Sequence, residues 1–133
     1  MFKIWIDFSN SPHILFFYPL IKKFEQDKIS FLITIREFAQ TEELKKLFNL
    51  KYYKIGKHGG KNIIIKIFNI LNRAYKLRHW AKGKKIDLAL SHSSYAQIIA
   101  AKSLKIPALT LMDYEYQPAN NISFRLSDYL IVP

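Results

Sequence analysis

Short β-rich apolar runs alternate along this chain with segments of helical period, and a polar cluster follows each of the first five runs. The runs are "KIWIDF" (3–8), "SFLITI" (30–35), "YYKI" (52–55), "LALS" (88–91), "ALTLMD" (108–113) and "YLIV" (129–132). Hydrophobic spacing predicts helices over 15–27, 40–48, 63–82, 95–104 and 122–126. Strands that read as unbroken apolar runs are buried on both faces, and regular strand–helix alternation means a mostly parallel sheet with helices on both sides. The predicted fold is therefore a Rossmann-like α/β domain over residues 1–133.

Within that frame the helices have predictable faces. The segment 15–27 turns Leu20, Ile21 and Phe24 inward and tolerates Pro19 only near its first turn. The segment 40–48 has Thr41 as a cap and Leu44, Leu47 and Phe48 as its inner face. The long segment 63–82 presents Ile64, Ile67, Phe68, Leu71 and Tyr75 at helical spacing. It also carries Lys66, Arg73, Lys76, Arg78 and Lys82, and apolar Ile63, Ile65, Ile70, Leu77 and Trp80 outside that face. The expected arrangement is an apolar face on the sheet and a basic face in solvent. Docking on an anionic membrane or on a partner is the second reading.

In open parallel sheets, ligands bind beyond the carboxyl ends of the strands. The clusters "SNSPH", "REFAQT", "GKHGGK", "SHSS" and "DYEYQ" all fall there. In the first, Ser9, Asn10 and Ser11 offer hydroxyl and amide hydrogen bonds at a helix start, where an anion is favoured. His13 is a proton acceptor or donor near neutral pH. The plainer reading is a capped helix with a surface histidine. In "GKHGGK", Lys57, His58 and Lys61 suit a phosphate or carboxylate, although a simple surface loop has the same composition. The spacing is not that of a nucleotide P-loop. His92 and Ser93 open a further helix, with Ser93 or Ser94 as its cap. Asp113 and Glu115 share a face of an extended segment and can accept hydroxyl protons, or stand as a solvated rim.

The bulk numbers narrow the classes. The chain has 133 residues, 21 Lys and Arg against 10 Asp and Glu, and a formal net charge of +11. That excess favours anionic partners, with compositional drift as the competing cause. Half of the residues are hydrophobic and none is cysteine, which excludes disorder, disulfides and thiolate chemistry. No signal-peptide pattern and no bilayer-length apolar run occurs, so a cytoplasmic location is expected. No His, Asp and Glu set has metal-site spacing, no Gly-x-Ser-x-Gly elbow occurs, and no nucleic-acid motif supports a nucleic-acid partner.

The stretches "KIWIDFSNSPHILFFYPLIKKF", "TIREFAQTEEL", "IGKHGGK", "ALSHSSYAQIIAAKSLKIP" and "MDYEYQPANNISFRLSDYLIVP" together resemble the N-terminal half of domain-of-unknown-function family 354. That family is similar to the non-hydrolysing UDP-N-acetylglucosamine 2-epimerases and to the lipid-linked N-acetylglucosaminyltransferase of peptidoglycan synthesis. The resemblance implies the N-terminal domain of a two-Rossmann-domain (GT-B-like) fold, with a second such domain expected after "SDYLIVP" and not contained in this chain. It implies the acceptor or sugar side of a glycosyltransferase-like sugar-nucleotide enzyme. A 2-epimerase-like half and a non-catalytic binding or assembly module are the alternatives. Activity would require the second domain, as a separate chain or otherwise. The implied partners are a nucleotide-sugar or an anionic sugar acceptor, with peripheral membrane contact as a further class; no cofactor is expected. Ser11, Pro12, His13 and Pro19 resemble the relatives' histidine loop, which makes His13 the candidate base. This loop has Ser and Asn where the relatives have glycines. An isolated half is expected to carry an exposed apolar patch.

Overall fold

The computed structural model describes residues 1–10, 12–37, 49–57, 59–113 and 117–132. The expected helix over 40–48, with Ser11, His58 and Glu115, lies outside the described residues. The strands are β1 (Lys3–Phe8), β2 (Ser30–Glu37), β3 (Tyr53–Lys57), β4 (Leu88–His92), β5 (Ala108–Leu111) and β6 (Tyr129–Ile131). The described helices are α1 (Pro12–Gln26), α2 (Ile63–Ala81), α3 (Tyr95–Ser103) and α4 (Asn120–Leu126). All six strands pair in parallel in the order β3-β2-β1-β4-β5-β6. This is a doubly wound α/β sheet whose winding reverses between β1 and β4, the crevice where such folds bind ligands.

Side chains alternate across β1, and each face meets a different layer. Ile4, Ile6 and Phe8 pack with Ile33 and Ile35 of β2 against Ile14, Phe17 and Ile21 of α1. Trp5 points the other way, into a core rich in small side chains: Ala74 and Ala81 of α2, Ala89, Ala108, and Ala96, Ala100 and Ala101 of α3. Alanines let α2 and α3 sit close to each other and to the sheet.

Two expectations are corrected. The helix after β1 starts at Pro12, so Pro19 lies well inside it rather than in its first turn. Pro19 and Leu20 lie on the outer side, with Leu20 37% exposed, and there water can take the carbonyl left without a donor. The larger correction concerns α2. Ile64, Ile67, Phe68, Leu71 and Tyr75 face solvent, and the buried residues are Arg73, Ala74, Leu77 and Ala81. Both faces of this helix carry apolar residues. The choice goes to the one whose alanines permit close approach and whose arginine finds a buried carboxylate.

Candidate functional site at the winding reversal

Because the strands are parallel, the carboxyl ends of β1 to β5 share one edge. The floor of that edge is a buried polar network around Asp7, the next-to-last residue of β1. Asp7 lies on the Trp5 side of the strand, facing α2. Arg73 donates from both terminal nitrogens, Nη1 to Asp7 Oδ2 and Nη2 to Oδ1, each at 2.7 Å. Its Nε donates to the Ile55 carbonyl at 2.7 Å, which fixes β3. The Thr34 hydroxyl donates to Asp7 Oδ1 at 2.6 Å and accepts from the Trp5 indole at 2.7 Å. The Ser94 hydroxyl donates to Asp7 Oδ2. Burial alone would push the Asp7 carboxyl up. The Arg73 charge and the hydrogen bonds from Arg73, Ser94 and Thr34 outweigh it and hold the pKa below the usual carboxylate value.

Ser94 is also the cap of α3, where its oxygen accepts from the Gln97 backbone N–H at 3.4 Å. Just before it, Ser93 takes a left-handed backbone, φ 54°, which is uncommon for a residue with a Cβ. Its N–H and hydroxyl both donate to the Leu111 carbonyl, at 3.0 and 3.3 Å. The strained turn is thus tied to β5, and it leaves the start of α3 open toward the crevice.

Over this floor lies a cleft of about 420 Å³. Ser9 and Asn10 border it from β1, Arg36 from β2, and Lys57, Gly59, Gly60 and Lys61 from the loop after β3. Lys66, Asn69 and Arg73 line the α2 side, and Ser93, Ser94 and Tyr95 the start of α3. No carboxylate lines it among the described residues. Arg36 is half-buried and donates to Asn10 Oδ1 at 3.1 Å. Its Nε is buried without a partner, and it forms no ion pair, among the described residues. Burial, followed by the nearby Arg73 charge, lowers its pKa. A cation in that position gains from an anion in the cleft.

The predicted site residues divide into two groups. Ser9, Asn10, Lys57, Lys61 and Ser93 come together around the cleft. His13, His92 and Asp113 form a second cluster at the ends of β4 and β5. The His13 and His92 rings lie against each other, centroids 4.6 Å apart and planes tilted by 39°. His92 Nε2 lies 3.0 Å from Asp113 Oδ1, and His13 Nδ1 lies 3.4 Å from the Ser9 hydroxyl. Ser9 therefore touches both groups. His13 is buried rather than at the surface, and burial first, then His92, brings its pKa down to about 4 despite Asp7 and Asp113. The ring is neutral at pH 7 and can accept a proton there, as a weak base.

Asp7, Thr34, Arg36 and Asn69 are site residues that hydrophobic spacing and the polar clusters do not single out, and Arg73, expected on a solvent face, is buried. A usable signal existed. Asp7 is the one carboxylate inside an otherwise apolar strand, and a buried carboxylate requires a cation partner.

The fold recurs in solved structures. The chain superposes on Staphylococcus aureus MnaA, solved with UDP, with a TM-score of 0.79, 18% identity, all of this chain and 39% of that one covered. Acinetobacter baumannii MurG gives a TM-score of 0.76 at 16% identity, over 98% of this chain and 40% of that one. The UDP-GlcNAc 2-epimerase of Neisseria meningitidis, solved with UDP-GlcNAc, gives 0.73 at 20% identity, over 94% and 38%. At such identities the likeness establishes fold, that of the N-terminal domain of GT-B enzymes. Among described residues no helix is long and apolar enough to cross a membrane. An uncharacterized protein of Methanocaldococcus jannaschii is 32% identical over 131 residues, which are 98% of this chain but 38% of that relative's length. The chain matches the family described as "Protein of unknown function (DUF354)" over residues 2–133, and it belongs to that family.

Proposed function

We propose that this chain is the acceptor or sugar side of a GT-B-like sugar-nucleotide enzyme, glycosyltransferase-like in its chemistry and completed by a second Rossmann domain. The observation that carries the reading is the cleft at the winding reversal, lined by Arg36, Lys57, Lys61 and Lys66 with no carboxylate among the described residues. Such a cleft suits the phosphate of a nucleotide-sugar or an anionic sugar acceptor. Ser9, Asn10 and Ser93 would take sugar hydroxyls. His13 would accept the proton of the attacking hydroxyl, with His92 and Asp113 beside it; His58 and Glu115 are further candidates for the anion and for a hydroxyl. An anion bound nearby would raise the basicity of His13 toward the working pH.

A 2-epimerase-like half is the second reading, favoured by the likeness in fold to the UDP-GlcNAc 2-epimerase solved with UDP-GlcNAc. Titrating the chain with UDP-N-acetylglucosamine, UDP and a sugar phosphate tests the anion site. Saturable binding that weakens about tenfold or more in Lys57→Ala with Lys61→Ala supports the proposal. No binding of any of the three, or binding indifferent to both lysines, refutes it. With a second domain supplied, transfer to an acceptor or epimerisation of the nucleotide-sugar separates the two enzyme readings. Binding without either reaction leaves a binding module.

A further inference from the structure

The solvent face of α2 has no role in the cleft chemistry. Ile64, Phe68 and Tyr75 are 73%, 66% and 69% exposed, and Ile67 and Leu71 are each more than half exposed. At helical spacing these five residues form one continuous stripe, and Arg78 and Lys82 extend the same line by a further turn. Lys61 immediately precedes its other end, Lys66 lies on the cleft side of the helix, and Lys61, Arg78 and Lys82 are exposed. None of Lys61, Arg78 and Lys82 forms an ion pair among the described residues. Residues 51–85 contain nine Lys and two Arg, and no Asp or Glu.

We infer that this stripe is a docking surface for an anionic lipid bilayer, with α2 lying in the plane of the interface. A protein surface meeting the stripe would need apolar area and a matching set of carboxylates. An anionic bilayer presents acyl chains beneath a continuous layer of negative headgroups, which complements an apolar stripe with lysines and arginines at both ends. A second domain docking over the ligand-binding edge accounts for the surface poorly. Helix α2 starts at that edge, beside Gly60 and Lys61, and runs back for about 28 Å toward the other edge of the sheet. A domain seated at the edge reaches its first turn and leaves Leu71, Tyr75 and the basic end uncovered.

Flotation with vesicles tests this on the chain itself. The chain should float with vesicles of equimolar phosphatidylcholine and phosphatidylglycerol and stay behind with phosphatidylcholine alone. Raising the salt should release it, and Phe68→Asp with Leu71→Asp should lower partitioning about tenfold or more at unchanged circular dichroism. The chain lacks cysteine, so a nitroxide can be placed at one site. On Phe68→Cys it should become shielded from a water-soluble relaxation agent when vesicles are added, and on Asn72→Cys it should not. No flotation with anionic vesicles, or no shielding at Phe68, overturns the inference. So does a stable dimer that Phe68→Asp dissociates while vesicles remain unbound, which would assign the stripe to a second copy of the chain.

Discussion

Arg73 of α2 grips Asp7 of β1 through both terminal nitrogens at 2.7 Å, and the two side chains are 6% and 0% exposed. One ion pair thereby joins the first strand to a helix 66 residues later, at the floor of the cleft. Thr34 of β2 and Ser94 at the start of α3 bind the same carboxylate. The pair sets which face of α2 is buried, and with it which face is left exposed.

Removing one partner of that pair should be costly. Arg73→Met leaves a buried carboxylate facing Thr34 and Ser94 alone, and should lower unfolding free energy by about 3–5 kcal/mol. Asp7→Asn with Arg73→Met should recover part of the loss, since no uncompensated charge then remains. Urea unfolding of the two single variants and the double variant measures the coupling. Additive losses would show that the contact has little energetic weight.

His13 should matter for turnover more than for folding. In protein supplied with the proposed second domain, His13→Ala should lower turnover by about 10²–10⁴-fold, beyond the drop in melting temperature that truncating a buried side chain brings. A destabilised but fully active variant would assign His13 a packing role, and the search for the base would move to His92 or Asp113.

The buried His13 ring also predicts how stability varies with pH. Its folded pKa of about 4 lies below the unfolded value of 6.5, so the unfolded chain binds more protons between those limits. The stabilisation is complete above pH 6.5 and is lost as pH falls toward 4, amounting to about 3 kcal/mol at the acid end. Chemical denaturation between pH 7 and 4 should show this decline, and His13→Gln should flatten it.

Two glycines separate backbone strain from crowding. Gly56 and Gly83 both have positive φ, 87° and 81°. A Cβ on Gly56 would lie 2.8 Å from Arg73 Cδ, whereas one on Gly83 would meet nothing within 4 Å. Gly83→Ala should cost about 1 kcal/mol for strain alone, and Gly56→Ala measurably more, because it also pushes Arg73 off Asp7. Equal losses by thermal melting would show that the Arg73 side chain gives way freely.

The alternation of apolar runs with helical segments determined a parallel, doubly covered sheet. Strand and helix types are set by local periodicity, and connections of this length leave few other topologies. The edge carrying Ser9, Asn10, Lys57, Lys61 and Ser93 followed from that rule, since parallel strands bring their carboxyl ends together. Local sequence could not decide the rotation of α2. Its Ile64–Phe68–Tyr75 face and its Ile70–Leu77 face are both apolar, and the more hydrophobic of the two is the one left in solvent. Contacts remote in sequence made that choice: Ala74 and Ala81 closing on the alanines of α3, and Arg73 reaching a carboxylate in β1. The division of the predicted site also depended on packing. His13 and His92 are 79 residues apart, and their ring contact arises only when α1 and β4 meet across the reversal in the sheet.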